Sequence, residues 1–522
     1  MTEIFGNPGS TELPFLRDMP PDFQYYLALH ERSAAGIALG YAMGRGKPAF
    51  VNLHSIASAG NGLSAIIDAY YNRVPLVVSA GQQDRRHLRS EPFLVSRAVD
   101  VVRPYVKGAC EPLRAEDVPA AIARGYYLAA QPPMGPVFIS IPMDDWTHQC
   151  EPVAVREVSQ RVFSDRSKLD EVCRALDRSR NPALVVGAQI EEDHAFEQVI
   201  ALAEHLKIDV YQEPIASRWT FPRRHRLFRG ALLPAQRPLA EQLAVYDTVV
   251  VLGAPVFLYY SYVPGDPIRP GTNLFQITNS PRDAAAALVG TNVVGDVADA
   301  AEYLRLHTLE RNARSTRDHD AIQCAKAESP ITAALLFSVL NRIIPSDAII
   351  AEECPSSKGD LDRYLQLDQP QSFYSVRSGI LGFGVPAAIG LQLAHPKRRV
   401  VCPVGDGSIQ YSVQALWTAV QYKIPVIFLV LCNSDYSALK SFCDFTRVGR
   451  KVPGLDLPGI DIARIAAGYG MKSQSVTEPH DLEPALQTAL AAHEPRLISV
   501  TIQSKTDKCM GMDQSANPPQ YR

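Results

Sequence analysis

The chain has 522 residues, and 52 Lys and Arg against 55 Asp and Glu leave a formal charge of −3. A composition of 46% hydrophobic and 20% charged residues excludes wholesale disorder, and the near-neutral balance offers no basic face to a nucleic acid. No apolar run approaches the ~20 residues that span a bilayer, and Pro8, Gly9 and Glu12 interrupt the start before any signal-like run, so a soluble protein is expected.

At roughly 100–200 residues per domain the length predicts about three domains. Short apolar runs alternating with longer helical patterns predict α/β units built on doubly wound parallel sheets. In chain order, residues 23–29 read as a strand, 33–42 as a helix of small residues, 49–53 as a strand and 59–71 as a helix. Strands at 74–80 and 137–141 complete a first unit, and the polar passage 144–168 reads as a linker. A second unit has a helix at 169–176 and strands at 183–186, 248–252 and 274–278, and ends in a charged segment at 311–326. The third, from about residue 331, has strands at 348–351, 400–404, 426–431 and 497–502, then a loose polar tail after Lys508. The expected domains are therefore 1–160, 161–325 and 326–522. Nine cysteines contain no C-x-x-C, which suits the reduced thiols of a cytoplasmic protein better than disulfides or a zinc site.

The most informative stretch runs from Arg399 to Asp435 and reads as strand, Gly405-Asp406-Gly407 turn, helix over 411–422, strand and polar turn. A right-handed crossover brings both strand ends to one sheet edge, where open α/β sheets bind ligands, so Asp406 and Asn433 are expected to lie close together. Asp406 supplies a carboxylate and Asn433 an amide oxygen, with a backbone carbonyl near Asp435 as third ligand, a set suited to Mg²⁺. Gly405 and Gly407 let backbone amides approach a phosphate, and the helix start that follows favours its charge. Taken alone, Gly-Asp-Gly is equally a tight turn with Asp406 as helix cap; Asn433 at the end of the next strand favours the metal–diphosphate reading. No G-x-G-x-x-G follows a strand with an acidic residue about 20 positions on, which argues against a nicotinamide dehydrogenase.

Gly405-Asp406-Gly407 with Asn433 one βαβ unit later resembles the thiamine diphosphate motif of the 2-oxo acid decarboxylases and acetolactate synthases. The resemblance is strongest to the benzoylformate decarboxylase branch. It extends through Phe5-Gly-Asn-Pro-Gly-Ser, Val51-Asn-Leu-His-Ser, Leu381-Gly-Phe-Gly-Val-Pro and Val452-Pro-Gly-Leu-Asp-Leu-Pro-Gly, spread over nearly the whole chain. It implies pyrimidine-binding, central and diphosphate-binding domains, thiamine diphosphate and Mg²⁺ as cofactors, and a homodimer or homotetramer with active sites between subunits.

The resemblance also implies site residues. Glu31 would contact the aminopyrimidine, His54 would handle protons on the substrate, and Ser10 would bind the substrate carboxylate; without it, each reads as a helix-start, structural or turn residue. Gly379 and Leu381 would clasp the cofactor, with Ser408 and Tyr436 also among the residues that bind it. Phe93, Leu94, Tyr260, Arg377, Ala438 and Phe442 would surround the substrate.

Several departures from the family pattern stand out. Tyr260 replaces a second histidine, and a phenol with a reference pKa near ~10 is a poor proton shuttle at neutral pH. Glu353-Cys354-Pro355 replaces a turn rich in Ser and Thr, and Arg377 replaces a small residue. Arg85, Arg86 and Arg89 add charge to a loop that would bring an acidic substrate into consideration if it faced the pocket. Phe5-Gly-Asn-Pro-Gly-Ser also lies nearly at residue 1, where relatives carry a whole helix before it. The expected activity is decarboxylation of an aryl or bulky 2-oxo acid to an aldehyde. The alternatives are carboligation with the same cofactor, or a non-catalytic binding protein on this fold.

Overall fold

The computed structural model describes residues 1–95, 97–312, 325–504, 508–509 and 512–513. Within these, three six-stranded, wholly parallel sheets succeed one another along the chain.

The first sheet contains β1 (Glu3–Gly6), β2 (Gln24–Leu27), β3 (Ala49–Leu53), β4 (Leu76–Gln82), β5 (Ala109–Cys110) and β6 (Val137–Pro142), in the order β2-β1-β3-β4-β6-β5. β3, β4 and β6 are buried at every position, as expected for parallel strands with both faces covered. The second sheet contains β7 (Pro182–Val186), β8 (Asp209–Gln212), β9 (Phe228–Ala231), β10 (Thr248–Leu252), β11 (Asn273–Thr278) and β12 (Thr291–Val294), ordered β12-β11-β10-β7-β8-β9. The third contains β13 (Ile349–Glu352), β14 (Phe373–Ser375), β15 (Val400–Gly405), β16 (Ile427–Cys432), β17 (Lys472–Val476) and β18 (Arg496–Thr501). Its order, β14-β13-β15-β16-β18-β17, repeats that of the first sheet.

The first and third sheets share one apolar core, running from Phe5, Ile37 and Val51 to Val385, Val404 and Phe428. They are joined by two helices, Glu31–Arg45 and Gly384–Ala394, that pack almost backbone to backbone. A Cβ on Gly40 would lie 2.1 Å from the Ala387 carbonyl oxygen, and one on Gly390 2.0 Å from that of Ile37. The small residues of the predicted helix thus serve contact with the third unit, and the helix is longer than expected at both ends. Its start is capped by His30, whose Nδ1 accepts the Arg32 N–H at 3.1 Å, and it ends at Gly46 in the left-handed region, φ 62°. The second sheet has a separate core.

Three expectations need correction. The helix expected over 411–422 is a short 3₁₀ turn, Ser408–Tyr411, followed by an α-helix only at Ala415–Gln421, so no long helix starts directly after Gly407. β1 lies in mid-sheet between β2 and β3 although it was not expected at all; its four residues are too few for a visible apolar run. The passage 144–168 is a linker only in part, because the 3₁₀ turn Met143–Thr147 opens it and the helix Arg166–Arg178 begins within it. The charged segment 311–326 falls mostly outside the described residues, as does most of the tail, where Lys508–Cys509 pairs antiparallel with Met512–Asp513. Among the described residues no helix is long and apolar enough to cross a membrane.

Candidate active site

β15 and β16 are parallel neighbours, with Gly405 opposite Leu431, so their C-terminal ends deliver Asp406 and Asn433 to the same sheet edge. Asp406 is 6% exposed; its Oδ1 accepts the Gly407 N–H at 2.9 Å and its Oδ2 the Ser434 N–H at 2.7 Å. Burial pushes its carboxyl above the usual range, against the pull of those N–H groups. Asn433 donates from Nδ2 to Ser437 Oγ at 2.9 Å, and its Oδ1 accepts the Asp435 N–H at 3.3 Å. The Asp435 carboxylate is already engaged by Lys440 Nζ at 2.8 Å, Ser504 Oγ at 2.9 Å and the Ser437 hydroxyl. Burial raises that carboxyl, but these partners outweigh it and hold it below its ordinary value. Asp435 therefore fits the expected set through its backbone carbonyl and not through its side chain. Gly407 is required here, because a Cβ would meet the Tyr436 ring at 2.6 Å. Carboxylate, amide and carbonyl make an all-oxygen set for a hard cation; among the described residues no cluster of three His, Cys, Asp or Glu offers a softer site.

A cavity of about 1340 Å³ opens beside this edge, lined by Ser356, Arg377, Gly379, Leu381, Ala438 and Tyr260 among others. Ala438 follows Ser437, the partner of Asn433, and its N–H donates to Ser356 Oγ at 3.1 Å. A hydroxyl thus borders the cavity even though Glu353-Cys354-Pro355 departs from the family turn. The Glu353 carboxylate is engaged by the backbone, accepting the N–H groups of Gly382, Phe383 and Gly384, and burial raises it to about 7. Gly379 needs its freedom, at φ 77°. Phe442 does not line the cavity, but its ring meets that of the lining residue Tyr260 edge to face, centroids 5.8 Å apart, which joins the second and third units there. Arg377 lines the cavity with its guanidinium 3.8 Å from the buried Glu213 carboxylate.

The first unit carries a second polar cluster. Glu31 Oε1 accepts from Ser58 Oγ at 2.7 Å and Asn7 Nδ2 at 3.2 Å, and Oε2 from Asn61 Nδ2 at 3.1 Å. Burial raises the Glu31 carboxyl, but the hydrogen bonds from Ser58 and Asn61 prevail and the net shift is downward. His54 Nδ1 lies 3.0 Å from both Thr11 Oγ1 and Glu12 Oε2. Ser10 occupies the exposed side of the same turn. Phe93 is 87% exposed and Leu94 is partly buried in the left-handed region. Glu31, His54, Ser10, Phe93 and Leu94 do not line the cavity of their own chain. The structure thus places the predicted residues in two groups, one on the first unit and one on the third, with Tyr260 of the second unit beside the latter.

Glu12, Thr11 and Lys440 support the site without having been anticipated. The signal for the first two was their adjacency to Ser10, which read only as a turn. Arg85 is tied to Asp144 and Asp145, and Arg86 to Asp84, while Arg89 is exposed, and none of the three lines the cavity of its own chain.

Comparison with known proteins matches residues 1–99 to "Thiamine pyrophosphate enzyme, N-terminal TPP binding domain", 169–304 to the central domain and 356–500 to the C-terminal TPP binding domain of the same enzymes. The chain is 41% identical over 511 residues to benzoylformate decarboxylase of Pseudomonas aeruginosa, covering 97% of this chain and 96% of that one. The crystal structure of benzoylformate decarboxylase from Polynucleobacter necessarius superposes with a TM-score of 0.95 at 38% identity, over 97% of this chain and 96% of that one. The 4-hydroxybenzoylformate decarboxylase of Rhodococcus jostii RHA1 does so with 0.93 at 37%, over 97% of both.

Proposed function

The chain belongs to the thiamine diphosphate-dependent 2-oxo acid decarboxylases, and on that premise we propose that its substrate is an aryl or bulky 2-oxo acid of the benzoylformate type, converted to CO₂ and the aldehyde with Mg²⁺ holding the diphosphate. The observation that carries this reading is the continuity between the Asp406–Asn433 edge and the cavity. Asn433 bonds Ser437, whose neighbour Ala438 lines the cavity with Gly379, Leu381 and Tyr260, so a ligand whose anionic end lay at Gly407 would have the cavity open to its other end.

Asp406 and Asn433 are the residues suited to hold the cation, with the Asp435 carbonyl. When bound, thiamine diphosphate supplies the carbon nucleophile and the sink for the electron pair that CO₂ leaves behind. The chain's own residues bind, orient and move protons. Glu31, its carboxylate fixed by Ser58, Asn61 and Asn7, would accept a hydrogen bond from a proton carried on the pyrimidine ring and so keep it there. His54, oriented by Glu12 and Thr11, exchanges protons with the substrate. Ser10 offers a hydroxyl to the substrate carboxylate. Glu31 and His54 do not line their own chain's cavity, which favours a homodimer or homotetramer in which the first unit of one copy meets the third unit of another.

The test is a product analysis with thiamine diphosphate and Mg²⁺ over benzoylformate, 4-hydroxybenzoylformate, branched 2-oxo acids and pyruvate. Aldehyde and CO₂ from an aryl acid support the reading. A 2-hydroxyketone as the main product from pyruvate, with no aldehyde from aryl acids, would replace it with carboligation.

A further inference from the structure

The segment carrying Gly379 and Leu381 joins β14 to the helix Gly384–Ala394 and has left-handed backbone at Gly379, φ 77°, and Gly382, φ 98°. Such a loop does not hold its shape unaided. Glu353, from its own unit, fixes the far end. The near end is fixed from the first unit.

Arg32, one residue after Glu31, forms a buried ion pair with Asp68, their side chains 4% and 0% exposed. Arg32 Nη2 donates to the Leu381 carbonyl at 3.2 Å, and a Cβ on Gly382 would lie 3.1 Å from Arg32 Nε, so the guanidinium rests against the loop backbone. Asp68 accepts the Ser378 hydroxyl, whose Oγ in turn accepts the Ile380 N–H at 3.0 Å. The ion pair, directly and through Ser378, thus orients two peptides that follow Gly379, Gly379–Ile380 and Leu381–Gly382. The helices involved, Glu31–Arg45 and Ser55–Tyr71, also carry Glu31, Ser58 and Asn61. A buried ion pair is often no more stabilising than apolar side chains of the same volume. Its distinctive contribution here is directional.

We propose that Arg32, Asp68 and Ser378 are positioning residues, through which the first unit sets the loop that presents Gly379 and Leu381 to the cofactor. This rests on the reading that the loop clasps thiamine diphosphate.

The experiment is calorimetric titration of the full-length apoprotein with thiamine diphosphate at saturating Mg²⁺, with apoprotein melting recorded alongside. Ser378→Ala leaves no charge unpaired and is expected to weaken binding about tenfold, the worth of one or two oriented hydrogen bonds, with an unchanged melting temperature; Ser378→Thr, which keeps the hydroxyl, restores affinity. The double replacement Arg32→Met with Asp68→Leu is expected to keep the melting temperature and still bind at least tenfold more weakly. Wild-type affinity in Ser378→Ala and in the double variant overturns this proposal alone. Failure of the wild-type protein to bind overturns it together with the reading of the loop.

Discussion

The imidazole of His54 rests on the backbone of Gly9. A Cβ at Gly9 would come within 2.0 Å of His54 Cγ, while Glu12, three residues after Gly9, accepts the Gly9 N–H at 3.0 Å and faces His54 Nδ1 at 3.0 Å. One turn therefore sets both the position and the tautomer of the ring. Gly9→Ala is expected to displace the imidazole, and Glu12→Gln to remove its charged partner. Both should lower kcat for decarboxylation by about tenfold or more, the scale on which a positioned proton-transfer group contributes, while thiamine diphosphate affinity is retained. Steady-state kinetics and calorimetry check this; unchanged kcat in both variants would leave His54 without a catalytic part.

The close approach of the helices Glu31–Arg45 and Gly384–Ala394 leaves no room for a side chain. With backbone oxygens 2.1 and 2.0 Å from the new Cβ atoms, Gly40→Ala and Gly390→Ala must separate the helices. Overpacking of this kind costs about 1–3 kcal/mol, and both variants should melt at lower temperature. A melting temperature at or above wild type would contradict the packing described.

Asp193, in the second unit, accepts the Val297 N–H and Asn279 Nδ2, both at 2.9 Å, and burial, with Glu192 and Asp296 adding to it, pushes its carboxyl up to about 7. Between the ordinary carboxylate range near ~4 and about 7, the folded chain holds a proton that the unfolded chain has released. Stability from this group is present at low pH and lost as pH rises through about 7. Asp193→Asn cannot titrate, so its melting temperature relative to wild type should rise between about pH 4 and 7 and level off above that. A difference independent of pH would contradict this.

Stripping divalent cations with a chelator should abolish cofactor binding and decarboxylation, with recovery on adding Mg²⁺. Asn433→Ala should raise the Mg²⁺ concentration needed for half-maximal binding, measured by calorimetry. Full binding in the presence of chelator would remove the cation from the mechanism.

Much of the fold was legible because parallel strands buried on both faces announce themselves. β3 falls on the mostly apolar run Ala49–Leu53, and the β15–β16 unit was readable because turn, polar strand end and spacing coincide at Asp406 and Asn433. Short or edge strands were not legible: β1 has four residues, and β17, Lys-Ser-Gln-Ser-Val, is mostly exposed. Side-chain allegiance was hidden as well. Nothing local says that the Asp435 carboxylate goes to Lys440, that Arg85 goes to Asp144 and Asp145, or that Arg32 reaches a loop 349 residues away. These are tertiary pairings, fixed only once the sheets are placed.

The central claim is that the Glu31 group and the Asp406 group complete one catalytic centre across two copies of the chain. Inactive Glu31→Gln and inactive Asp406→Asn proteins, dissociated, mixed in equal amounts and reassociated, test it directly by benzoylformate decarboxylation. Half of randomly re-formed pairs are mixed and each mixed pair holds one intact site, so activity should return to roughly one quarter of wild type. Mixed assemblies with no activity would contradict the account.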